Sequence, residues 1–569
     1  VLCEKNKSDK RITFVIILLG VLVSFICILP CINADMPNGD DTVFHVLRFE
    51  SVYYALKSGQ GFPSYVYSQV LEGYGYGTGI FYPDIFLLPA ALFRYMGASL
   101  ELSIKLYIYL IMLVTCITSY TAGKYIGHSR YTGIATMILY TVGHYHLEDI
   151  YSRFAIGEVV AMAFLPLVFM ALYDFTEKEH SKKGLLCVAF SLVLLSHTIS
   201  FVLCVILAAI WTLIRIKRIW NKEKILGLVC EMIACMAVTS YYWLPVLEQF
   251  VSGKFKVSEE PAFYNHEETM HLFGILCGKY SVAFIEIGIL VLLIALSYEK
   301  NILNKKSMCC LIWVIILLLV ETNLFPWKLV DKTPLVSIQF PWRLNMFTEF
   351  FLALGIGIQI KDFNYNKVID NRRLKQSIFI CLIIGLFNLS IVWMREITGY
   401  VNYPDGYIEN PENTNSIMFQ EWLPVEGDIS ETVKSDEAGK VVLKASYETG
   451  NNQEQTVDLL EGQYTRNGKY EFDASGITGT CIIPKYYYKG YTATYISSSG
   501  TTEELQLKKD GDTGLISIDL FGCEGMVSIY YEGTFIQKIT RWVSLLSMII
   551  VVILIGISER IENHGRNNH

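Results

Sequence analysis

The sequence predicts a polytopic α-helical membrane protein of about twelve transmembrane helices, with a C-terminal extracytoplasmic β-sandwich and a final transmembrane helix. Three observations predict it. Hydrophobic residues make up 52% of the 569 and charged residues only 18%, a ratio that a soluble enzyme of this length does not need. The apolar residues gather in nearly uncharged runs (12–32, 102–126, 226–247, 281–296, 308–320 and 378–393) that approach or reach the roughly 20 residues needed to cross a hydrocarbon core. Residues 398–539, by contrast, turn polar and alternate with a period of two.

The elements follow in order. Lys5, Lys7, Lys10 and Arg11 precede the first run, which is long and followed by further spans, so it reads as a retained helix rather than a cleaved signal. Lys and Arg collect in the short connections 178–183, 215–224, 300–306 and 361–375, which the positive-inside rule places in the cytoplasm. The chain then starts inside, and 33–101 lies outside. Within that loop, 80–96 holds Pro83, Asp84, Pro89 and Arg94 and reads as a juxtamembrane or re-entrant segment. Spans follow near 102–125, 131–147 and 154–173. A hairpin over 184–216 turns at Ser196-His197-Thr198, and further spans lie near 225–247, 280–298, 308–325, 343–360, 377–397 and 540–558. The domains are therefore 1–397 in the membrane, 398–539 outside it, and 540–569 as last helix and tail, with both ends cytoplasmic at the plasma membrane.

Strands are expected near 441–447, 455–460, 469–472, 480–484, 492–496, 504–507, 515–520 and 526–531, with Gly522 to Gly525 connecting the last two, a spacing that suggests a sandwich. Tyr486, Tyr487, Tyr488 and Tyr491 are expected to pack this domain in preference to stacking on sugars. Most of the 14 cysteines lie in apolar runs without metal-ligand spacing; Cys481 and Cys523 share the outer domain and leave a disulfide open. The net charge of −7 and the scattered basic residues argue against a nucleic-acid partner.

Ionisable residues beside a span are costly and hence functional candidates. In the first outer loop Asp41, His45 and Arg48 recur at i, i+4 and i+7, on one helical face. They suit a base combined with anion binding, or equally an Asp-capped interfacial helix facing headgroups. His144, His146, Glu148, Asp149, Tyr151, Arg153 and Glu158 border the third and fourth spans, where an ion pair of Arg153 with Glu158 is the structural alternative. His197, Glu248 with Gln249, and Gln339-Phe340-Pro341-Trp342-Arg343 mark other outer helix ends. Trp342 alone suits an aromatic belt and Arg343 alone can snorkel, but all these groups are placed at one surface. The loop Gly73-Tyr74-Gly75-Tyr76-Gly77-Thr78-Gly79 lacks a P-loop lysine and is no nucleotide fingerprint.

Gly39-Asp40-Asp41-Thr42-x-x-His45-x-x-Arg48, Gly73-Tyr74-Gly75-Tyr76, Gly79-Ile80-Phe81-Tyr82-Pro83-Asp84, Asp149-x-Tyr151-x-Arg153-x-x-x-Gly157-Glu158, Ser196-His197 and Gln339-Phe340-Pro341-Trp342-Arg343 together resemble bacterial membrane proteins labelled 6-pyruvoyl-tetrahydropterin synthase-related. The resemblance covers about 10–400. These proteins look like relatives of YfhO-type and other GT-C glycosyltransferases, which implies a GT-C-like bundle and transfer of a sugar from a polyprenyl-phosphate donor to a cell-envelope glycan, polymer or lipid acceptor, with inversion. By that resemblance Asp41 or Asp40 is the base. Arg153, Arg343, Arg48 and His45 neutralise the donor phosphate, and Asp149, Glu158, His197, Gln339, Trp342, Tyr82 and Asp84 orient sugar or acceptor. A divalent cation, Mg or Mn, at Asp40 and Asp41 is permitted without being required. A lipid or oligosaccharide transporter, which predicts midplane sites and inverted repeats, and a non-catalytic envelope assembly protein are the alternatives.

Overall fold

The computed structural model describes residues 2–567 except 33–34, 72, 260, 272–273, 278, 282–283, 301–302, 366–370, 410–412, 414–419, 429–443, 449–453, 459–468, 498–499 and 522–524. Up to Arg395 the chain is almost entirely helical. Apolar backbone in lipid must satisfy its own hydrogen bonds, and a helix does so within one segment. Among the described residues four helices are long and apolar enough to cross a membrane: Leu100–Gly127, Ile156–Glu177, Ile378–Arg395 and Phe535–Ser558. Shorter apolar helices stand beside them at Ile12–Cys27, Leu185–Leu194 and Thr198–Ile214. Leu546, Ile550, Val552, Ile553 and Leu554 on the last helix are exposed, a surface suited to lipid and costly in water.

Two expectations are refined. The run at 225–247 is not one straight span: Lys222–Val238 and Ser240–Ser252 meet at 72°. Pro245 lies inside the second half and has no N–H for the carbonyl of Tyr241, which accepts from the Tyr65 hydroxyl instead at 3.4 Å. The expected 131–147 span ends at Thr141, and Gly143 caps a new turn, His144–Glu148, followed by the π-helical turn Asp149–Arg153. The segment at 80–96 forms short pieces, including the apolar helix Ile85–Tyr95.

Two antiparallel sheets follow. One runs in the order Glu454–Asp458, Lys444–Glu448, Thr478–Tyr486, Leu515–Phe521, Leu507–Lys509; the other runs Tyr470–Asp473, Gly525–Tyr531, Tyr491–Ser497, Thr502–Leu505. Leu515–Phe521 and Gly525–Tyr531 therefore belong to different sheets. The connecting residues 522–524, Cys523 among them, and so any bond from Cys481 to Cys523, lie outside the described residues, as do parts of the expected strands 441–447 and 455–460 and of the basic loops 300–306 and 361–375. Cys481, Ile483, Ile516 and Ile518 of the first sheet and Phe472, Val527 and Ile529 of the second share one core. Tyr486 and Tyr488 are fully buried, but against the loop at Tyr65, Val66, Leu71 and Tyr76. The Tyr486 N–H donates to Tyr74 O at 3.0 Å. The sheets are thereby docked on the helical part of the chain through the loop between Lys57 and Thr78.

Basic residues gather at one end of the bundle. Lys306 donates to Ile126 O and the Tyr173 hydroxyl, Lys361 to Gly127 O, Lys224 to Phe175 O, and Arg215 pairs with Glu177. Glu177 and Glu158 lie near opposite ends of Ile156–Glu177, about 29 Å apart at 1.5 Å per residue, close to the thickness of a hydrocarbon core. The candidate residues gather at the Glu158 end.

Candidate functional site

Gly39-Asp40-Asp41 is clamped from two sides. The N–H groups of Asp40 and Asp41 donate to Ser152 O (3.0 Å) and Arg153 O (2.7 Å). On the other flank Met36–Pro37 pairs with Tyr400–Val401, and the Asn38 N–H donates to Gly399 O at 3.0 Å. Gly39 is needed for the approach, since a Cβ there would sit 2.8 Å from the Arg153 carbonyl carbon. The helix Thr42–Lys57 starts at this clamp, but Asp41 does not cap it with its side chain; the Gly39 N–H donates to the Thr42 hydroxyl at 2.7 Å. Asp41 is half-buried, and among the described residues nothing hydrogen-bonds its carboxylate. Burial raises its pKa, while the charges of Arg153 and Arg343 pull it down.

Those two arginines are tied together by Glu158. Its Oε2 accepts from Arg153 Nη1 at 3.0 Å and from Arg343 Nε at 3.2 Å, and its Oε1 accepts from the Tyr145 hydroxyl at 2.6 Å. Arg153 Nη1 also donates to Asp149, and Arg343 Nη1 donates to Ile338 O (2.6 Å) and Gln339 Oε1 (3.1 Å). Gln339 is held at φ +66°, which turns its side chain to this guanidinium. Among the described residues Nη2 of neither arginine has a partner. Asp149 is pushed up by burial and by the charge of Glu158. The Trp342 ring lies under Arg153, with the guanidinium carbon 4.5 Å from its centroid, and stacks between Phe340 (4.7 Å) and Tyr280 (4.2 Å).

Arg48 and His45 lie beside the same group, with the His45 ring 6.2 Å from Tyr82 and 6.3 Å from Phe154. Arg48 is buried. It donates to Asp84 Oδ1 through Nε (3.1 Å) and Nη2 (2.5 Å), to Pro83 O (3.0 Å), and stacks 3.8 Å over the Tyr82 ring. Its Nη1 meets His45 Nδ1 at 3.1 Å. Burial and this guanidinium hold the His45 pKa well below the ordinary range, so His45 is neutral and accepts. The Tyr67 hydroxyl donates to Asp84 Oδ2. The group thus fixes Tyr82, which sits 5.9 Å from the His197 ring and against Gly157. His197 is buried, with Nδ1 2.8 Å from the Ser200 hydroxyl at the start of Thr198–Ile214.

Sequence reasoning missed Lys279 and Tyr280: the Tyr280 hydroxyl donates to Asp40 Oδ2 at 2.7 Å and Lys279 Nζ lies 3.5 Å from it. It also missed Glu421 and Trp422. The charge of Glu421 acts on the same Arg343 and Asp41, and the Trp422 ring lies 6.0 Å from Tyr82. The only early signal for the first pair was a Lys-Tyr step at the mouth of an apolar run.

The sequence model for the 6-pyruvoyl-tetrahydropterin synthase related domain, described as a membrane protein, matches residues 81–396, more than half of the chain. The chain belongs to this family. The match takes in Tyr82, Asp84, Asp149, Arg153, Glu158, His197 and Arg343 and leaves Asp40 and Asp41 outside. An uncharacterized protein of Lactococcus lactis subsp. cremoris (strain MG1363) is 22% identical over 344 residues, 57% of this chain and 56% of that one. The chain therefore spans little more than half the length of this curated relative. Among solved structures, the arabinofuranosyltransferase AftD from Mycobacteria is 16% identical with a TM-score of 0.43, over 68% of this chain and 27% of that one. The oligosaccharyltransferase of Archaeoglobus fulgidus is 12% identical with a TM-score of 0.39, over 69% and 56%.

Proposed function

We propose that this chain is a membrane glycosyltransferase of the GT-C class that moves a sugar from a polyprenyl-phosphate donor to a hydroxyl of a cell-envelope glycan, polymer or lipid. In this reading twelve helices cross the plasma membrane and both ends of the sequence are cytoplasmic. The site and the β-sheets then face the extracytoplasmic side, since the basic loops occupy the other end. The observation that carries it is the Asp41 carboxylate, half-buried and unbonded among the described residues, clamped by its N–H to Arg153 O and within the field of two guanidiniums that Glu158 holds together.

Asp41 takes the proton of the acceptor hydroxyl as its oxygen attacks the anomeric carbon. The bond from that carbon to the phosphate oxygen breaks on the opposite face, and the polyprenyl phosphate leaves with inversion. Nη2 of Arg153 and of Arg343 meet the growing phosphate charge, a task suited to preorganised donors. Glu158 and Asp149 aim the arginines, Gln339 and Trp342 brace them, and Asp84 with Arg48 braces Tyr82. A divalent cation fits poorly: Asp40 and Asp41 supply two carboxylates, no group of three ligating side chains converges among the described residues, and the nearest charges are cationic.

The test uses the full chain in nanodiscs with undecaprenyl-phosphate sugars, comparing Asp41→Asn and Arg153→Ala with wild type. Transfer is expected to fall by about 10²–10⁴-fold in both, with expression retained. Unchanged glycosylation of envelope polymers in both variants refutes the enzyme.

A further inference from the structure

The short segment 420–427 passes beside Tyr82 and Phe81. Its backbone is held at several points. Glu421 O accepts from the Val257 N–H at 2.8 Å, Leu423 O from the Lys256 N–H at 3.0 Å, and the Val425 N–H donates to Lys254 O at 3.2 Å. The Trp422 N–H donates to the Tyr76 hydroxyl (3.2 Å), and Trp422 O accepts from the Tyr488 hydroxyl (3.0 Å). Leu423 is fully buried and anchors the segment.

The Trp422 ring packs against Tyr76 at 5.8 Å as well as Phe44, Phe81 and Tyr82, and its polar atom and that of Glu421 are left over. Among the described residues neither the Glu421 carboxylate nor the Trp422 indole N–H makes a hydrogen bond, and both residues are half-buried. Trp422 lies nearly parallel to Phe81 (11°, 6.3 Å), 5.8 Å from Phe44 and edge-on to Tyr82. Glu421 lies where the charges of Arg343 and Asp41 both act on it. A backbone this firmly held, presenting an aromatic surface, a free carboxylate and a free N–H beside a transfer site, matches the needs of a sugar ring: C–H faces pack on aromatic carbon, and paired hydroxyls donate to a carboxylate.

We propose that Glu421 and Trp422 form a carbohydrate subsite that decides which sugar ring the pocket accepts. It rests on the transferase reading for its place in the reaction. Both residues, like Asp40 and Asp41, lie beyond the family match at 81–396. Glu421 binds hydroxyls and Trp422 supplies the platform, and neither moves a proton in the transfer step.

The test uses the full chain in nanodiscs, with undecaprenyl phosphate, with undecaprenyl-phosphate glucose, galactose and N-acetylglucosamine, and with solubilised envelope glycan. Hydroxyl-radical oxidation of Trp422 is read by peptide mass spectrometry. A sugar-bearing ligand is expected to protect Trp422 where undecaprenyl phosphate does not, and Glu421→Gln to require about tenfold more ligand for the same protection. Protection by a lipid-linked sugar assigns the subsite to the donor; protection by the glycan assigns it to the acceptor. Equal protection by undecaprenyl phosphate, or none by any sugar, overturns the proposal. Should Asp41→Asn keep transferring while sugars still protect Trp422, the base assignment falls and the subsite stands. Should Asp41→Asn stop transfer while Trp422 stays unprotected, the reverse holds.

Discussion

Replacing Gly39 with alanine tests whether the placement of Asp41, rather than its presence, sets the rate. A Cβ at Gly39 would lie 2.8 Å from the Arg153 carbonyl carbon and 2.9 Å from the Phe154 nitrogen, against the 3.4 Å at which ordinary contact begins. Both obstacles are backbone, held in the turn between two buried helices, so the loop at 39–41 must retreat by about 0.6 Å or more. That retreat stretches the bonds from Asp40 and Asp41 to Ser152 and Arg153. Weakening two such bonds costs about 1–2 kcal/mol of stability. It also draws the Asp41 carboxylate back from the acceptor hydroxyl, and a misplacement approaching 1 Å costs on the order of 10²-fold in turnover. The assay is initial transfer rate from an undecaprenyl-phosphate sugar in nanodiscs, with donor affinity measured alongside. The rate falls while donor affinity holds, because neither Arg153 nor Arg343 loses a partner. The control is Gly227→Ala, within Lys222–Val238, where an added Cβ meets nothing within 4 Å; it is expected to keep full activity and gain about 0.5–1 kcal/mol. Wild-type turnover in Gly39→Ala refutes the clamp as the device that positions the base.

Asp41 as base works only when ionised, so its raised pKa moves the acidic limb of kcat/KM above the usual aspartate range, and Asp41→Asn abolishes that limb along with the activity. A carboxyl whose folded pKa is raised favours folding at low pH and loses that contribution as pH rises through the folded value; Asp41→Asn is therefore expected to melt no lower than wild type at pH 7, and a marked drop contradicts the assignment. Arg48→Ala leaves Asp84 buried and unpaired by the guanidinium that contacts it, which costs about 3–5 kcal/mol, seen as a large fall in melting temperature; a silent variant would show that the placement of Tyr82 does not depend on this pair. Lys485 is fully buried without a hydrogen bond, its Nζ 3.1 Å above the Tyr470 ring centroid, and burial pulls its pKa down. The unfolded chain then binds the extra proton and stability rises with pH below the ordinary lysine range; Lys485→Met is expected to remove that slope and to stabilise by about 1–3 kcal/mol at neutral pH, as a thermal melt series across pH will report.

Legibility divided along a physical line. Elements set by local sequence were visible, because an uncharged apolar run has one satisfied conformation in lipid and strict alternation has one in a half-buried sheet. The hairpin at Ser196-His197-Thr198 and the strands from Lys444 to Tyr531 follow those rules. The convergence of Asp41, Arg153, Glu158 and Arg343 was anticipated only by placing every costly charge at one membrane face. Partner choice was not legible. Nothing local tells that Arg48 pairs with Asp84, 36 residues on, rather than with a substrate phosphate, since the pairing depends on a loop that folds back without regular structure. The bend at Thr239 lies ahead of Pro245, which sits inside the second helix, and the apolar run around it gave no sign of a break.

Glu421 and Trp422 went unseen for a different reason: in a polar stretch an acid and an indole carry no energetic anomaly, so sequence cost gives no warning. Their significance appears only against what surrounds them, a backbone already bonded at Val257, Lys256, Tyr76 and Tyr488. The same contrast separates the acids of the pocket. Glu158 and Asp84 spend both oxygens on arginine or tyrosine and Asp149 spends one, and among the described residues the Asp41 and Glu421 carboxylates make no hydrogen bond. A carboxylate kept half-buried without a partner forfeits solvation that a hydrogen bond or an ion pair would otherwise return. Structural need does not explain holding two of them beside the same guanidinium, whereas a substrate hydroxyl for each does.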